Sequence, residues 1–285
     1  MANSVLITGA SSGIGLVTAL ELATSGWDVI ATARSDAKAG LISAAAQERG
    51  VELRTVLCAV DDAASCAEAV GEADRLTGGL HALVNNAGYV QAGAVEDVSD
   101  EQVRAQLETN VVAPVRLTRL VLPGMRERGA GRIVNVSSVA GRLTTPLMGW
   151  YAASKHALEA VTDALRMEVE GDGITVSLVE PGMFATHIWS VADAGYPEPT
   201  TPRYAAAYAR GQALSARSHR LPDPVWVART IRLALTNPVP LARYVVGADA
   251  VGGIVAERIL PTAVTDYVKA ITTGLRSPVR LPFLR

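Results

Sequence analysis

Cysteine is scarce in this chain, and so is any grouping suited to a metal ion. The 285 residues include two cysteines, Cys58 and Cys66, and four histidines. The cysteines are not spaced as C-x-x-C and no histidine cluster joins them, which argues against a metal site. Charge is sparse too. Charged residues make up 19% and the formal net charge is −2, so no overall field steers the protein toward nucleic acid. No uncharged apolar run approaches the ~20 residues that span a bilayer. The mean hydropathy of +0.23 therefore reports a deep core, and no integral membrane insertion is expected. The opening MANSVLITGASSG lacks a basic stretch followed by a long apolar one, which predicts no secretory signal. Two thiols without such a signal point to a reducing cytoplasm. No internal repeat or low-complexity linker divides the chain.

What is present is a globular composition, with 49% hydrophobic residues, enough for a sizeable core. Short β-branched apolar runs alternate with helical patterns. Strands are expected at Ser4–Thr8, Asp28–Ala33, Val51–Cys58, His81–Asn86, Arg132–Ser138, Ile174–Pro181 and Tyr244–Gly247. Helices are expected at Gly13–Ser25, Ala37–Gln47, Ala63–Leu76, Asp100–Arg128 and Trp150–Glu170. Strands separated by helices of this length imply βαβ units and a parallel sheet with helices on both faces. The expectation is a doubly wound α/β Rossmann fold in one domain, residues 1–285. An insertion at about 187–221 would cover the substrate as a lid, and a tail would run from about 261 to 285.

The stretch TGASSGIG (Thr8 to Gly15) follows the first strand and opens the first helix. Gly9 permits a tight turn, Gly13 lets backbone approach a pyrophosphate, and Gly15 allows close packing of the helix on the sheet. A pyrophosphate would then lie at a helix N-terminus, where unpaired N–H groups and the dipole favour an anion. The alternative is a purely structural glycine turn, and the strand–loop–helix context favours the binding reading. Nucleotide preference is written at the end of the second strand, where an acid holds the ribose of NAD and an arginine takes the extra phosphate of NADP. This chain reads Ala33-Arg34 with no acid at the tip. NADP(H) is therefore expected, with Arg34 on the phosphate and Ser35 assisting. NAD(H) stays open, the alternative reading of Arg34 being a solvated loop arginine.

Tyr151 and Lys155 stand four residues apart in MGWYAASKHALEA, one turn apart on the same helix face. A snorkelling surface lysine and a proton-transfer pair are both compatible with that spacing. TGASSGIG, NNAG (Asn85 to Gly88), Asn110, Ser138, the Tyr151–Lys155 pair and Pro181-Gly182, in this order and spacing, together resemble the short-chain dehydrogenases/reductases. VIATAR and YAASKHALE are similar to the hydroxysteroid and retinol dehydrogenase branch. The resemblance implies a catalytic set of Asn110, Ser138, Tyr151 and Lys155. Ser138 would bond the substrate oxygen, Tyr151 would exchange a proton with it, and Asn110 would hold a water in a relay to Lys155. A free tyrosine titrates near ~10, and a neighbouring ammonium together with the positively charged oxidised nicotinamide would lower that value. The resemblance further implies a cofactor site built from Gly9, Ser11, Ser12, Gly13 and Ile14, with Asn86, Ala87 and Gly88 as a wall. Tyr151 and Lys155 would share it, with Pro181, Gly182 and Thr186 on the nicotinamide side. The family's adenine-contacting aspartate is replaced at the matching position by Ala59, followed by Val60 and Asp61, so either Asp61 substitutes from a shifted position or the adenine contact is weaker.

The pocket walls expected from the sequence are Arg142, Leu143, Leu147, Met148, Trp150, Met183, Phe184 and Trp189, with Ser138, Met148, Tyr151, Met183 and Phe184 touching substrate. Their apolar character suits a lipophilic secondary alcohol or ketone, steroid-like or retinoid-like. A β-ketoacyl thioester reductase and a non-catalytic NADP-binding regulator are the alternatives. The resemblance also implies a homodimer or homotetramer. His156 is read as structural, and His187 as a weak pocket candidate.

Overall fold

The computed structural model of this chain describes residues 3–276. Strands β1 (Ser4–Ile7), β2 (Asp28–Ala33), β3 (Arg54–Leu57), β4 (Ala82–Asn85), β5 (Gly131–Val136), β6 (Ile174–Pro181) and β7 (Arg243–Val246) form one sheet in the order β3-β2-β1-β4-β5-β6-β7. Every pairing is parallel. The helices among the described residues are α1 (Gly13–Thr24), α2 (Asp36–Arg49), α3 (Ala63–Thr77), α4 (Asp100–Leu107), α5 (Ala113–Arg128), α6 (Gly149–Glu168), α7 (Ile188–Ala194), α8 (Pro202–Ser215), α9 (Val225–Thr236), α10 (Ala248–Ile259) and α11 (Thr262–Thr273).

Alternation along β1 shows how the sequence builds two layers. Val5 and Ile7 point into a core shared with Ala19 and Leu22 of α1, Ile42 of α2 and Ile231 of α9. Leu6 points the other way, into a core shared with Val70 of α3 and Leu117, Val121 and Met125 of α5. A strand buried on both faces needs a continuous apolar run, which is what SVLI supplies. Each fully buried aliphatic side chain contributes about 1.5–3 kcal/mol. The chain leaves β1 toward β2 and β3, then crosses back to β4 on the other side. That reversal opens a crevice at the carboxyl ends of β1 and β4, where such sheets bind ligands.

Two elements depart from expectation. The third strand begins at Arg54, three residues later than predicted, because Gly50 ends α2 in the left-handed conformation and Val51 N–H closes on the Ala46 carbonyl at 3.0 Å. The helix expected over Asp100–Arg128 is interrupted by a π turn at Glu108–Val112, where Ala113 N–H bonds the Glu108 carbonyl. Pro114 lies four residues after Asn110 and has no N–H to give the Asn110 carbonyl, so an uninterrupted α pattern is blocked there.

The segment after β6 is helical, as expected, and forms a cap over the carboxyl end of the sheet. It is fastened to the loop between β4 and α4. Gln91 Nε2 donates to the Gly195 carbonyl at 2.6 Å, and Thr200 N–H donates to Asp97 Oδ1 at 3.1 Å. The Tyr208 hydroxyl accepts from Ala94 N–H at 2.8 Å and donates to the Asp97 carboxylate. α11 packs beside α8, with Arg210 donating to the Ile271 carbonyl at 3.0 Å. The remainder of the expected tail, 277–285, lies outside the described residues.

Candidate active site

The glycine loop lines the crevice. Gly9 and Gly13 have φ of +64° and +54°, conformations that favour glycine. A side chain on Gly9 would reach Ala87 Cα at 2.9 Å, and one on Gly13 would reach Thr186 Cβ at 3.3 Å, so the loop meets both predicted partner loops. Gly15 serves a purpose other than the expected one. A Cβ there would collide with the Gly9 carbonyl and the Asn86 amide, so it lets α1 pack on its own loop rather than on the sheet. Asn86 Nδ2 donates to the Thr8 carbonyl at 2.9 Å and the Gly9 carbonyl at 3.2 Å, and Thr8 Oγ1 accepts from Asn86 and Ala87 N–H at 3.0 Å each. Asn86 thus staples the loop. Ser12 sits at the N-cap of α1, its side chain caps no N–H, and no acid occupies the first turn. The first-turn N–H groups there have no partner within the helix and face an anion-ready crevice. Ser11, Ser12 and Ile14 are half-buried along it.

At the tip of β2, Arg34 is exposed, and Ser35 caps α2 by accepting from Lys38 N–H at 3.4 Å. Beyond β3, the Val60 carbonyl accepts from Arg116 at 2.9 Å, Asp62 caps α3, and Asp61 is exposed. These residues stand at the far end of the same crevice edge.

Four side chains meet beyond β4 and β5. Tyr151 is buried, with 6% of its surface exposed. Burial raises its phenol above the ordinary value, and a hydrogen bond with Ser138 pulls it partly back. In the protein alone, burial outweighs any lowering of Tyr151. Lys155 Nζ lies 5.9 Å from the centre of the Tyr151 ring and donates to the Val136 carbonyl at 2.9 Å. Burial lowers Lys155 itself to about 8, and Glu159 pulls it upward. Ser138 Oγ also accepts from Ala140 N–H at 3.1 Å, while Ser137 points away, buried and without a hydrogen-bond partner. The Asn110 side chain is occupied: Nδ2 donates to the Tyr89 carbonyl and to Ser154 Oγ at 3.0 Å each, and Oδ1 accepts from Tyr89 N–H at 3.2 Å. Its main-chain carbonyl has no i+4 donor, because Pro114 lacks an N–H. A Cβ on Gly88 would stand 3.0 Å from Asn110 Oδ1 and 3.7 Å from Lys155 Nζ, so Gly88 opens the space between them.

The pocket wall around Tyr151 differs from the predicted set. Tyr151 packs with Val90, Ala92 and Ala192, flanked by Met148, Ile188 and Tyr196. Met148 is where the sequence placed it. Phe184 packs into the sheet core with Val136, Val179, Val227 and Val246, and also lines the cavity that Met183 lines. Met183 turns toward α10 and lines a cavity of about 510 Å³ with Leu221 and Trp226, away from the residues packed on Tyr151. Arg142 pairs with Glu180, Leu147 packs with Tyr208, and the Trp189 indole donates to the Phe184 carbonyl at 2.8 Å. His156 bonds the Ala152 carbonyl at 2.9 Å, a structural contact, and His187 is exposed.

One positioning residue escaped the sequence reading. Asp249, in the first turn of α10, accepts from Met183 N–H at 2.7 Å and crowds Gly182 so closely that a side chain there would collide with its carboxylate. It fixes the Pro181–Thr186 loop from sixty-six residues away. The acid that follows Gly247 was the available signal, an acidic residue in a helix's first turn.

Comparisons with known proteins agree with this geometry. Residues 3–196 match the short chain dehydrogenase family. The chain is similar to the oxidoreductase YbbO of Escherichia coli (strain K12), 37% identical over 271 residues and covering 94% of each protein. It is similar to the NADPH-dependent 3-dehydrocapnine reductase of Ornithobacterium rhinotracheale, 32% identical over 270 residues, covering 92% of this chain and 94% of that one. The fold superposes on a short-chain dehydrogenase from Streptomyces avermitilis with a TM-score of 0.78 at 34% identity, covering 95% of this chain and 96% of that one. The chain belongs to the short-chain dehydrogenase/reductase family, whose members are NAD(P)-dependent oxidoreductases of CH–OH groups.

Proposed function

We propose that this protein is an NADP(H)-dependent reductase of lipophilic ketones, running in reverse on the matching secondary alcohols, with Tyr151 as the acid/base. The observation that carries this reading is the buried Tyr151 phenol, with Ser138 acting on its titration and Lys155 behind its ring, under an apolar cap. The phenol's upward shift keeps it protonated at neutral pH, the state a proton donor in carbonyl reduction needs.

The crevice fits a dinucleotide. The uncapped N-terminus of α1 and the glycines that admit Ala87 and Thr186 suit its pyrophosphate, Arg34 suits a 2′-phosphate, and Lys155 and the Pro181–Thr186 loop suit the nicotinamide half. NADPH dependence of the relative from Ornithobacterium supports the phosphorylated form. When bound, this cofactor supplies the hydride. Ser138 orients the substrate oxygen, and Tyr151 gives it a proton as charge develops there. Lys155 holds the phenol in a positive field and returns the proton, through water at the Asn110 carbonyl. Ile188, Ala192 and Tyr196 of the cap exclude bulk water and receive the substrate's apolar body.

Both thiols are free and buried, in keeping with a reducing compartment, and no described helix is long and apolar enough to cross a membrane. Exposed Val112, Val161 and Met167 on the α5–α6 side suit a contact between copies of the chain. A panel of ketones and β-ketoacyl thioesters, each assayed with NADPH and NADH, tests the reading. Reduction of bulky apolar ketones with NADPH is expected. Turnover confined to acyl thioesters, or a strong preference for NADH, would overturn it.

A further inference from the structure

Behind Lys155 the protein buries a second set of ionisable groups that the reaction described above does not use. Glu159 follows Lys155 by one helical turn and is 5% exposed, and Glu180 at the end of β6 is fully buried. Arg243 Nε lies 3.0 Å from Glu159 Oε2 and 3.1 Å from Glu180 Oε1, so one guanidinium joins the two carboxylates. Arg142 bonds Glu180 at 3.2 Å. On its outer side Arg243 pairs with Asp163, which also pairs with Arg166. Even so, Glu159 Oε1, Glu180 Oε2 and Ser137 Oγ are buried without a hydrogen-bond partner among the described residues. A Cβ on Gly141 would lie 2.9 Å from both Ser137 Oγ and Glu159 Cγ and 3.2 Å from Glu159 Oε1, so a carboxylate oxygen and a hydroxyl gather beneath this one glycine. Lys155 donates to Val136, the residue before Ser137. The ammonium and the carboxylate cluster therefore flank the same end of β5.

Buried carboxylates carry a large desolvation cost, and unpaired oxygens on them add to it. Arg54, by contrast, closes both oxygens of Asp28 through Nε and Nη2. Here each acid leaves one oxygen unpaired. The charged groups of this cluster are Lys155, Glu159, Asp163 and Arg166 from α6, Arg142 from the turn after β5, Glu180 from β6 and Arg243 from β7. Three carboxylates thus face four cations. Lys155 is the cation among them with no carboxylate contact of its own, so it is the one whose charge depends on the field of the others.

We propose that Glu159 is a positioning residue for the reaction: its buried carboxylate, joined to Glu180 through Arg243, holds the Lys155 ammonium charged and in place behind Tyr151. This rests on the reading of Tyr151 as the proton donor. Burial alone would neutralise Lys155 near physiological pH and leave nothing to return the proton. Glu180, the other acid on Arg243, is pushed upward, first by burial and then by Glu159.

The chain contains three lysines, Lys38, Lys155 and Lys269, so 13C-labelled lysine gives three side-chain signals, and Lys155 can be titrated directly without any activity. Glu159→Gln is expected to lower the Lys155 midpoint by about one unit or more. Glu159→Asp should restore most of that shift, and Glu180→Gln should not lower the midpoint. The alkaline limb of kcat/KM for ketone reduction should move down with the NMR midpoint in Glu159→Gln. An unchanged Lys155 midpoint in Glu159→Gln overturns the proposal. If that variant does not fold, the wild type decides: the Glu159 carboxyl carbon must shift at the Lys155 midpoint, and a stationary signal overturns it. Absence of ketone reduction with an intact NMR shift would reject the proposed function and leave the Glu159–Lys155 coupling standing.

Discussion

The two sides of the crevice are built from different materials. The side at β1, β2 and β4 uses glycines, main-chain N–H groups and the neutral amide of Asn86, with Arg34 as its exposed cation. The side at β5 and β6 uses a buried phenol, a buried ammonium and a buried carboxylate pair. A fixed anion such as a phosphate is met by geometry and needs no group that changes charge. A proton in transit needs groups whose charge can change, and burial moves their titration. One side should therefore respond to steric changes and the other to pH.

The largest effect should come from Tyr151→Phe. Loss of the proton donor is expected to cut kcat by ~10²–10⁴-fold while cofactor binding, measured by fluorescence titration, stays close to wild type. Retained activity would break the contrast at its centre. Next is Lys155→Met. Lys155 titrates at about 8 when folded against ~10.4 unfolded, so the folded protein binds fewer protons across that window. Stability of the wild type should rise with pH from about 8 to 10.4 for this group. Lys155→Met, spared the cost of burying the charge, should be inactive yet more stable at pH 7 by on the order of 1–3 kcal/mol, with the gain shrinking above pH 8 in denaturant titrations.

On the other side, Gly15→Ala forces a methyl against the Gly9 carbonyl. A loss of about 1–3 kcal/mol in stability, together with weaker cofactor binding, is expected at every pH between 6 and 9. A pH-dependent loss would blur the distinction. The smallest effect should be Arg34→Gln, which removes an exposed charge. About a tenfold drop in kcat/KM with NADPH and little change with NADH is expected.

Much of the nucleotide side was legible because its determinants are local. TGASSGIG follows β1 directly, and Arg34 ends β2, so strand placement and glycine spacing located both. Ser138, Tyr151 and Lys155 came instead from the resemblance to the short-chain dehydrogenases/reductases, whose motif falls at the end of β5 and on one helical turn of α6. What stayed hidden was set by contacts distant in sequence. Arg243 reaches Glu159 across eighty-four residues, and Asp249 reaches Met183 across sixty-six. Phe184 reads as a wall residue in PGMFAT, and its packing against residues of β5, β6, β7 and α9 comes from contacts that no local pattern shows. Tyr151 was expected to be tuned by Lys155, yet burial dominates, and burial depends on α7 arriving from outside the motif. The π turn at Asn110 could have been suspected from Pro114, whose missing N–H is visible in the sequence.

The cap has one more consequence, for how this protein could change its substrate over time. Residues 188–220 look like an insertion that might be exchanged whole for another. Their anchors, however, are Gln91, Ala94 and Asp97, laid down between β4 and α4 about a hundred residues earlier. Tyr204 bonds Glu96 in the same stretch at 2.5 Å. A foreign cap grafted alone would land on anchors cut for different tyrosines, so two separated stretches of gene must be inherited together for a new pocket roof to seat.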